Sequence, residues 1–387
     1  MLQKRNTNRH RRVKMKTRLT SNLLFGLAAA SIFAVPALAQ EAEAAKGPEV
    51  KFSGEVEFDA YTGDVINDDI KSHSYASTFD LNVDVKLNDK WSASVQLEAD
   101  GETTDPTAIY NGAFVQYAPS EKFAVKFGDL TFSEGAFLNF YGYDDPADNA
   151  AGMAEHDIRG FEIDYNGLVF GLGFGRGDND NKICVEEDGE ESCVGVAYDL
   201  HLAYELGLGE HVLRPFFDYK SYQEAKHNEL HAGLDANLKF DAFAFHFVYG
   251  LHVDALKEDD PKATHAFLAE PSLDLGKVNI KGSVFYAIID KKNPTVHGEE
   301  IPEYFFAYGE PSVKINDAIA LGLPLEYHTN TLQKDDDTST FNVGLRAYFT
   351  PVEGLDVTGF AKVNIPVGDD AGDDTGLGFG LETVFAF

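Results

Sequence analysis

Alternation with a period of two runs along almost the whole chain and decides the fold class before any single residue does. From Tyr75 to Leu87, the apolar residues Tyr75, Phe79, Leu81, Val83, Val85 and Leu87 interleave with Thr78, Asp80, Asn82, Asp84 and Lys86. Successive side chains of a strand point to opposite faces, so this segment has one apolar face and one charged face. The pattern restarts three residues later, where Trp91, Ala93, Val95, Leu97 and Ala99 alternate with Ser92, Ser94, Gln96, Glu98 and Asp100. It recurs over 18 segments: 49–60, 74–87, 91–100, 108–118, 123–130, 156–165, 168–176, 194–206, 211–221, 228–240, 242–252, 264–275, 278–289, 303–315, 318–328, 338–350, 355–365 and 376–387. Strands of soluble sheets run about 5–6 residues, whereas a tilted strand of about 9–11 residues crosses a bilayer.

The connections alternate in length. Tight ones carry turn residues: Asn88-Asp89-Lys90, Pro119-Ser120-Glu121-Lys122, Asn166-Gly167, Gly207-Leu208-Gly209-Glu210, Gly276-Lys277, Asn316-Asp317 and Pro351-Val352-Glu353-Gly354. Asn-Gly is the strongest hairpin signal among them. Long acidic loops lie between. Segregating short turns to one end and long loops to the other has no purpose in a soluble sandwich, and it is how outer-membrane barrels are built. The expectation is therefore all-β: a transmembrane antiparallel up-and-down β-barrel of 16–18 strands, best count 18, with short periplasmic turns and long extracellular loops. Merging one hairpin would give 16.

The N-terminus reads as an address. Lys16 and Arg18 precede an apolar run, Leu23 to Val35, which ends at the small-x-small sequence Ala37-Leu38-Ala39. That is a secretory signal and is too short for a comfortable membrane span. Residues 1–39 are expected to be an extension plus cleaved signal peptide, and 40–387 the barrel. Eight of the 32 basic residues lie in 1–39, which leaves 24 against 64 acidic residues in 40–387. So strong an acidic excess excludes nucleic acid as a partner. An exported chain also permits a disulfide between its two cysteines, Cys184 and Cys193.

Exported N-terminus, alternating strands, tight turns and a last strand with Phe379, Leu381, Phe385 and Phe387 on one face together resemble a Gram-negative outer-membrane porin. The resemblance covers the whole mature region. It implies localisation in the cell outer membrane after passage through the periplasm, among outer-membrane lipids. It implies a homotrimer, with Phe385 and Phe387 serving as the C-terminal signal to the barrel assembly machinery. It also implies that the third loop, 131–155, folds into the lumen as the constriction, presenting Glu134, Asp144, Asp145 and Asp148. This loop is unusually aromatic for an exposed one.

Inward positions are the polar half of each strand. The expected wall acids include Asp80, Asp84, Glu98, Glu162, Asp164 and Asp199. The expected wall bases are Lys86, Lys126, Arg159, Lys239, Lys281, Arg346 and Lys362. Rings of acids favour cations, so the expected function is a water-filled channel for passive diffusion of ions and small hydrophilic solutes, leaning towards cations. The alternatives are a substrate-specific sugar or oligosaccharide channel and a plugged structural or adhesive barrel. Inward Tyr110, Phe114, Phe285, Tyr348 and Phe360 are expected either to stack sugars or to pack beneath the third loop. No catalytic motif is present, so no enzyme activity, cofactor or metal is expected. The glycine-rich segments 171–175 and 376–380 lack dinucleotide-fingerprint spacing and a following helix, and inward glycines let a loop or a neighbouring strand approach closely. His227 and His231 stand about 13 Å apart on a strand, too far to share a metal.

Overall fold

The computed structural model describes residues 47–63, 72–100, 110–135, 156–175, 182–187, 190–254, 256, 262–289, 304–329, 339–367 and 375–387. The first part of the barrel comprises β1 (Glu49–Gly63), β2 (Ser72–Lys86), β3 (Trp91–Asp100), β4 (Tyr110–Ser120), β5 (Phe123–Phe132), β6 (His156–Tyr165) and β7 (Leu168–Phe174). Then follow β8 (Lys182–Glu187), β9 (Glu190–Tyr204), β10 (Leu206–Leu208), β11 (His211–Tyr222), β12 (Glu229–Phe240), β13 (Phe243–Asp254), β14 (Lys262–Asp274) and β15 (Val278–Ile289). The chain ends with β16 (Tyr304–Lys314), β17 (Ile319–Gly322), β18 (Leu325–Thr329), β19 (Ser339–Val352), β20 (Leu355–Val367) and β21 (Gly376–Ala386).

These elements make a closed antiparallel barrel of 18 staves. β9 and β10 form one stave, interrupted at Glu205, whose N–H still bonds to the Gly167 carbonyl. β17 and β18 form another, interrupted at Leu323-Pro324. Pro324 has no N–H to give the ladder, and its carbonyl accepts from Gly344 N instead. β8 pairs only with the upper part of β9, as an arm beyond the barrel wall. The count of 18 rather than 16 thus stands once the two broken staves are each counted once.

The wall closes where β1 pairs with β21, from Glu55 opposite Ala386 to Thr62 opposite Phe379. Gly54 N donates to the Phe387 carbonyl and Phe387 N donates back to the Gly54 carbonyl, each at 3.0 Å. At the tight-turn end, Asn166 and Gly167 have φ of 49° and 90°. Both central residues of a type I′ hairpin need positive φ, which is why Asn-Gly sits there.

The outer face is apolar and exposed, as at Phe58, Phe127, Leu345 and Leu381. Aromatics gather at its two rims. Near the turns, Trp91 packs on Tyr117 at 4.7 Å between centroids, Phe240 on Phe243 at 6.2 Å and Phe385 on Phe387 at 6.0 Å. Towards the loop end, Tyr249–Phe267, Tyr286–Phe305 and Phe305–Tyr327 continue from stave to stave at 5.1, 6.4 and 6.1 Å. These are the aromatic girdles of a barrel in a bilayer.

Leu345 is 56% exposed in the middle of β19, and Arg346 beside it is buried on the inner face. Leu345→Arg should destabilise the barrel by roughly 2–4 kcal/mol, the range for a cation at the bilayer midplane. Urea-dependent refolding into lipid vesicles would measure this.

Candidate functional site: the lumen wall and the base of the third loop

Cross-strand register carries one face continuously around the barrel, so each inward position can be read from its neighbour. Asp80 faces Glu98, Asp84 faces Ser94 and Lys86 faces Ser92. Glu55 faces Asp80 and Lys51 faces Asp84, while Asp59 faces Glu382 across the seam. This sector, β1 to β3 with β21, is predominantly acidic. Its bases contact acids at the turn end, Lys51 to Glu49 at 3.7 Å and Lys86 to Asp89 at 3.2 Å.

Elsewhere two of the expected inward bases sit against carboxylates. Lys126 pairs with Glu162 and lies 3.6 Å from Asp164. Arg346 reaches Glu310 at 3.3 Å, in a cluster where the hydroxyls of Tyr308 and Tyr348 also donate to Glu310. Gly322 makes room for that carboxylate, since a Cβ there would lie 1.9 Å from Glu310 Oε1. Lys362 stands 5.3 Å from the centroid of Tyr61, whose ring stacks on Phe360 at 6.2 Å. Gly378 and Gly380 leave the space those two rings fill. Lys239 and Lys281 share the inward face with Asn237 and Ser283, as their register partners require.

Two expectations fail. Arg159 is on the outer face, with Phe161, between the inward residues Ile158 and Gly160; its side chain is 55% exposed and its Nε bonds Asp129 at 2.6 Å. Tyr110 also faces outward, opposite Leu97, because a bulge after Gln96 shifts the register. Its hydroxyl donates to the same Asp129 at 2.6 Å. All three lie near the long-loop end of their strands, where an outward charge is tolerated far better than at the midplane. Asp144, Asp145 and Asp148, and the Cys184 side chain, lie outside the described residues. Cys193 is disulfide-bonded, and the register sets Cys184 directly opposite it.

The base of the third loop turns into the lumen. Phe132 stacks on the imidazole of His201 at 3.8 Å between centroids, and only a glycine at 171 leaves room for that ring, 2.6 Å from where a Cβ would sit. Glu134 follows, 3.2 Å from Arg214 and 3.6 Å from His201. Gly135 N donates to Asp235 at 3.1 Å. The described base of the loop therefore leaves β5 over Gly171 of β7 and is fixed to β9, β11 and β12. Burial pushes the Glu134 carboxyl up, but its contact with His201 and the charges of His201 and Arg214 outweigh burial and leave it below the ordinary carboxylate range.

Sequence reasoning missed two features. The first is a set of lumenal histidines meeting carboxylates: His201 and Asp218 at 2.6 Å, His156 and Asp199 at 2.9 Å, and His246 with Glu270 at 2.6 Å and Asp235 at 3.0 Å. The second is the extent of an apolar patch on the lumenal side, where Val248, Leu268 and Phe306 are fully buried around Phe285, the one member expected to face inward. Its signal is present in the sequence: Ala266-Phe267-Leu268-Ala269 and Val284-Phe285-Tyr286-Ala287 are continuous apolar runs, the mark of strands covered on both faces.

No curated protein sequence matches the chain. Among solved structures, the chain is similar to OmpT, an outer-membrane protein of Vibrio cholerae, at 12% identity and a TM-score of 0.52, covering 90% of this chain and 100% of that one. It is also similar to an anion-selective porin from Comamonas acidovorans, at 10% identity and 0.53, covering 88% and 100%. A third similar structure is OpdK of Pseudomonas aeruginosa with vanillate, at 10% and 0.52, covering 88% and 98%. Residues 26–300 match the family described as Gram-negative porin. A closed 18-stave barrel with aromatic rims, a charged inner face and that match make the chain a member of the Gram-negative porin family, whose place is the outer membrane.

Proposed function

We propose that the barrel is a passive diffusion channel for ions and small hydrophilic solutes, that it prefers cations, and that its third loop is the constriction. The observation that carries this is the asymmetry of the wall. Lys126, Arg214 and Arg346 each contact a carboxylate, while Glu55, Asp80, Glu98, Asp59 and Glu382 face one another across neighbouring staves. The surplus charge among the described lumenal residues is negative, which raises the local concentration of cations and repels anions. Likeness to an anion-selective porin does not weigh against this, because selectivity resides in lining residues and not in the fold. A lumen-directed loop base and the buried apolar patch support the constriction: such a patch on an inner wall is what a loop packed inside a barrel would cover.

The Tyr61–Phe360 stack beside Lys362 favours a second reading, a channel with a subsite for flat-faced solutes such as sugars. For assembly we propose a homotrimer, the state named for one similar OmpT structure, with export directed by residues 1–39 and Phe385 and Phe387 recognised during barrel assembly.

Planar-bilayer recording of the refolded chain under a KCl gradient tests the main reading. Stepwise conductance with a reversal potential of the sign for K+ is expected; a potential of the Cl− sign would overturn the cation preference, and silence from folded, inserted protein would favour a plugged barrel. The double variant Asp80→Asn, Glu98→Gln should move the reversal potential towards zero without closing the channel.

The loop anchor gives a pH signature. Because the Glu134 carboxyl is held low, its stabilising contribution is complete above the ordinary carboxylate range and is lost only as pH falls through the lowered value. Current fluctuations should therefore stay constant from neutral to mildly acidic pH and grow in strong acid, whereas Glu134→Gln should fluctuate at every pH.

A further inference from the structure

One level of the lumenal wall is a row of polar side chains. Register places His201 opposite Asp218, Asp218 opposite His231, His231 opposite His252 and His252 opposite Thr264 on five adjoining staves. Within the row, His201 is held by Asp218. His231 and His252 meet each other, their ring centroids 3.9 Å apart and their planes at 89°. The Nε2 of His231 and the hydroxyl of Thr264 are buried with no hydrogen-bond partner. Burying a polar atom without a partner is destabilising, so these atoms point to an occupant.

We propose that His231 and His252 form a binding site for a divalent transition cation of borderline softness, such as Zn2+, Ni2+ or Cu2+, on the lumenal wall. Imidazole nitrogen selects such ions over Mg2+ and Ca2+, which take oxygen ligands. Opposed residues of an antiparallel pair have Cβ atoms about 4.5–5.5 Å apart, and rotation of the two rings about χ2 lets both nitrogens reach one ion at about 2 Å. Asp218, opposite His231 in register, is already bonded to His201. Two protein ligands completed by water bind more weakly than the closed four-ligand cage of a structural zinc site. On the wall of a channel that is the useful strength, since a permeating ion must be able to leave. The site needs no open lumen and does not rest on the channel reading.

Isothermal titration of the full chain, refolded in detergent without an affinity histidine tag, tests it with Zn2+ in a background of excess Mg2+ to occupy the acidic surface. About one Zn2+ per chain is expected, with His231→Gln and His252→Gln each weakening it roughly tenfold or more and His211→Gln leaving it unchanged. No Zn2+ binding by the wild type, or unchanged binding in both variants, would overturn the site. X-ray absorption at the zinc edge of the wild type answers independently of whether the variants fold. Two imidazole nitrogens in the coordination shell are the expected result, and a shell of oxygen alone would sink the proposal. If bilayer recordings are silent while Zn2+ still binds, the channel reading fails and this one stands.

Discussion

Inside hydrocarbon there is no water to pair a backbone N–H or C=O, so every stave must have a hydrogen-bonded neighbour on both sides. The rest of this structure follows from that requirement. It forces closure, which the chain achieves by returning its last residue to Gly54. It also governs the irregularities. The stave interrupted at Leu323-Pro324 keeps its connection because Leu323 N bonds to the Pro311 carbonyl and Gly344 N bonds to the Pro324 carbonyl. Each proline costs the ladder a donor, and the two stand together where one local adjustment accommodates both.

Once the wall is closed, lipid solvates one face and the other is left to the protein. The inner face divides into sectors with different chemistry. β1 to β3 with β21 gather carboxylates; β13 to β16 bury apolar side chains; β6 to β13 between them carry the imidazole–carboxylate pairs that receive the base of the third loop. Glycine is the device that lets the sectors work, since Gly171 admits the ring of Phe132, and Gly378 and Gly380 admit Tyr61 and Phe360. The loop's position is thus prepared by what β7 lacks as much as by what β9 and β11 offer.

Stave boundaries, the direction of most side chains and the unequal turns were legible because each is a local property of period, Gly, Pro and Asn. Reading every charge as inward fails at Arg159, because a charge near the loop end of a strand can face outward when Asp129 and Tyr110 partner it. Tyr110 itself eludes parity because the bulge at Asn111 is set by its pairing with β3. The histidine row was illegible for a deeper reason. His231 and His252 are far apart in sequence, and only the register of β12 with β13 makes them neighbours. Judging His231 by its distance to His227 addresses the wrong neighbour, and the two do not share a strand: His227 closes a 3-10 turn ahead of β12.

The runs that are apolar on both faces raise a question of alignment. Elsewhere in the wall, sliding a strand by one residue would turn all its polar side chains into lipid, so misalignment is strongly opposed. In the stretch Ala266 to Ala269 a slip exchanges one apolar set for another and meets no such penalty. What holds β14 in place is the polar residue just below that stretch, Glu270, bonded to both His246 and Ser283. Glu270 thus acts as a detent: it marks the single alignment in which β14 can be read correctly by the strands on either side.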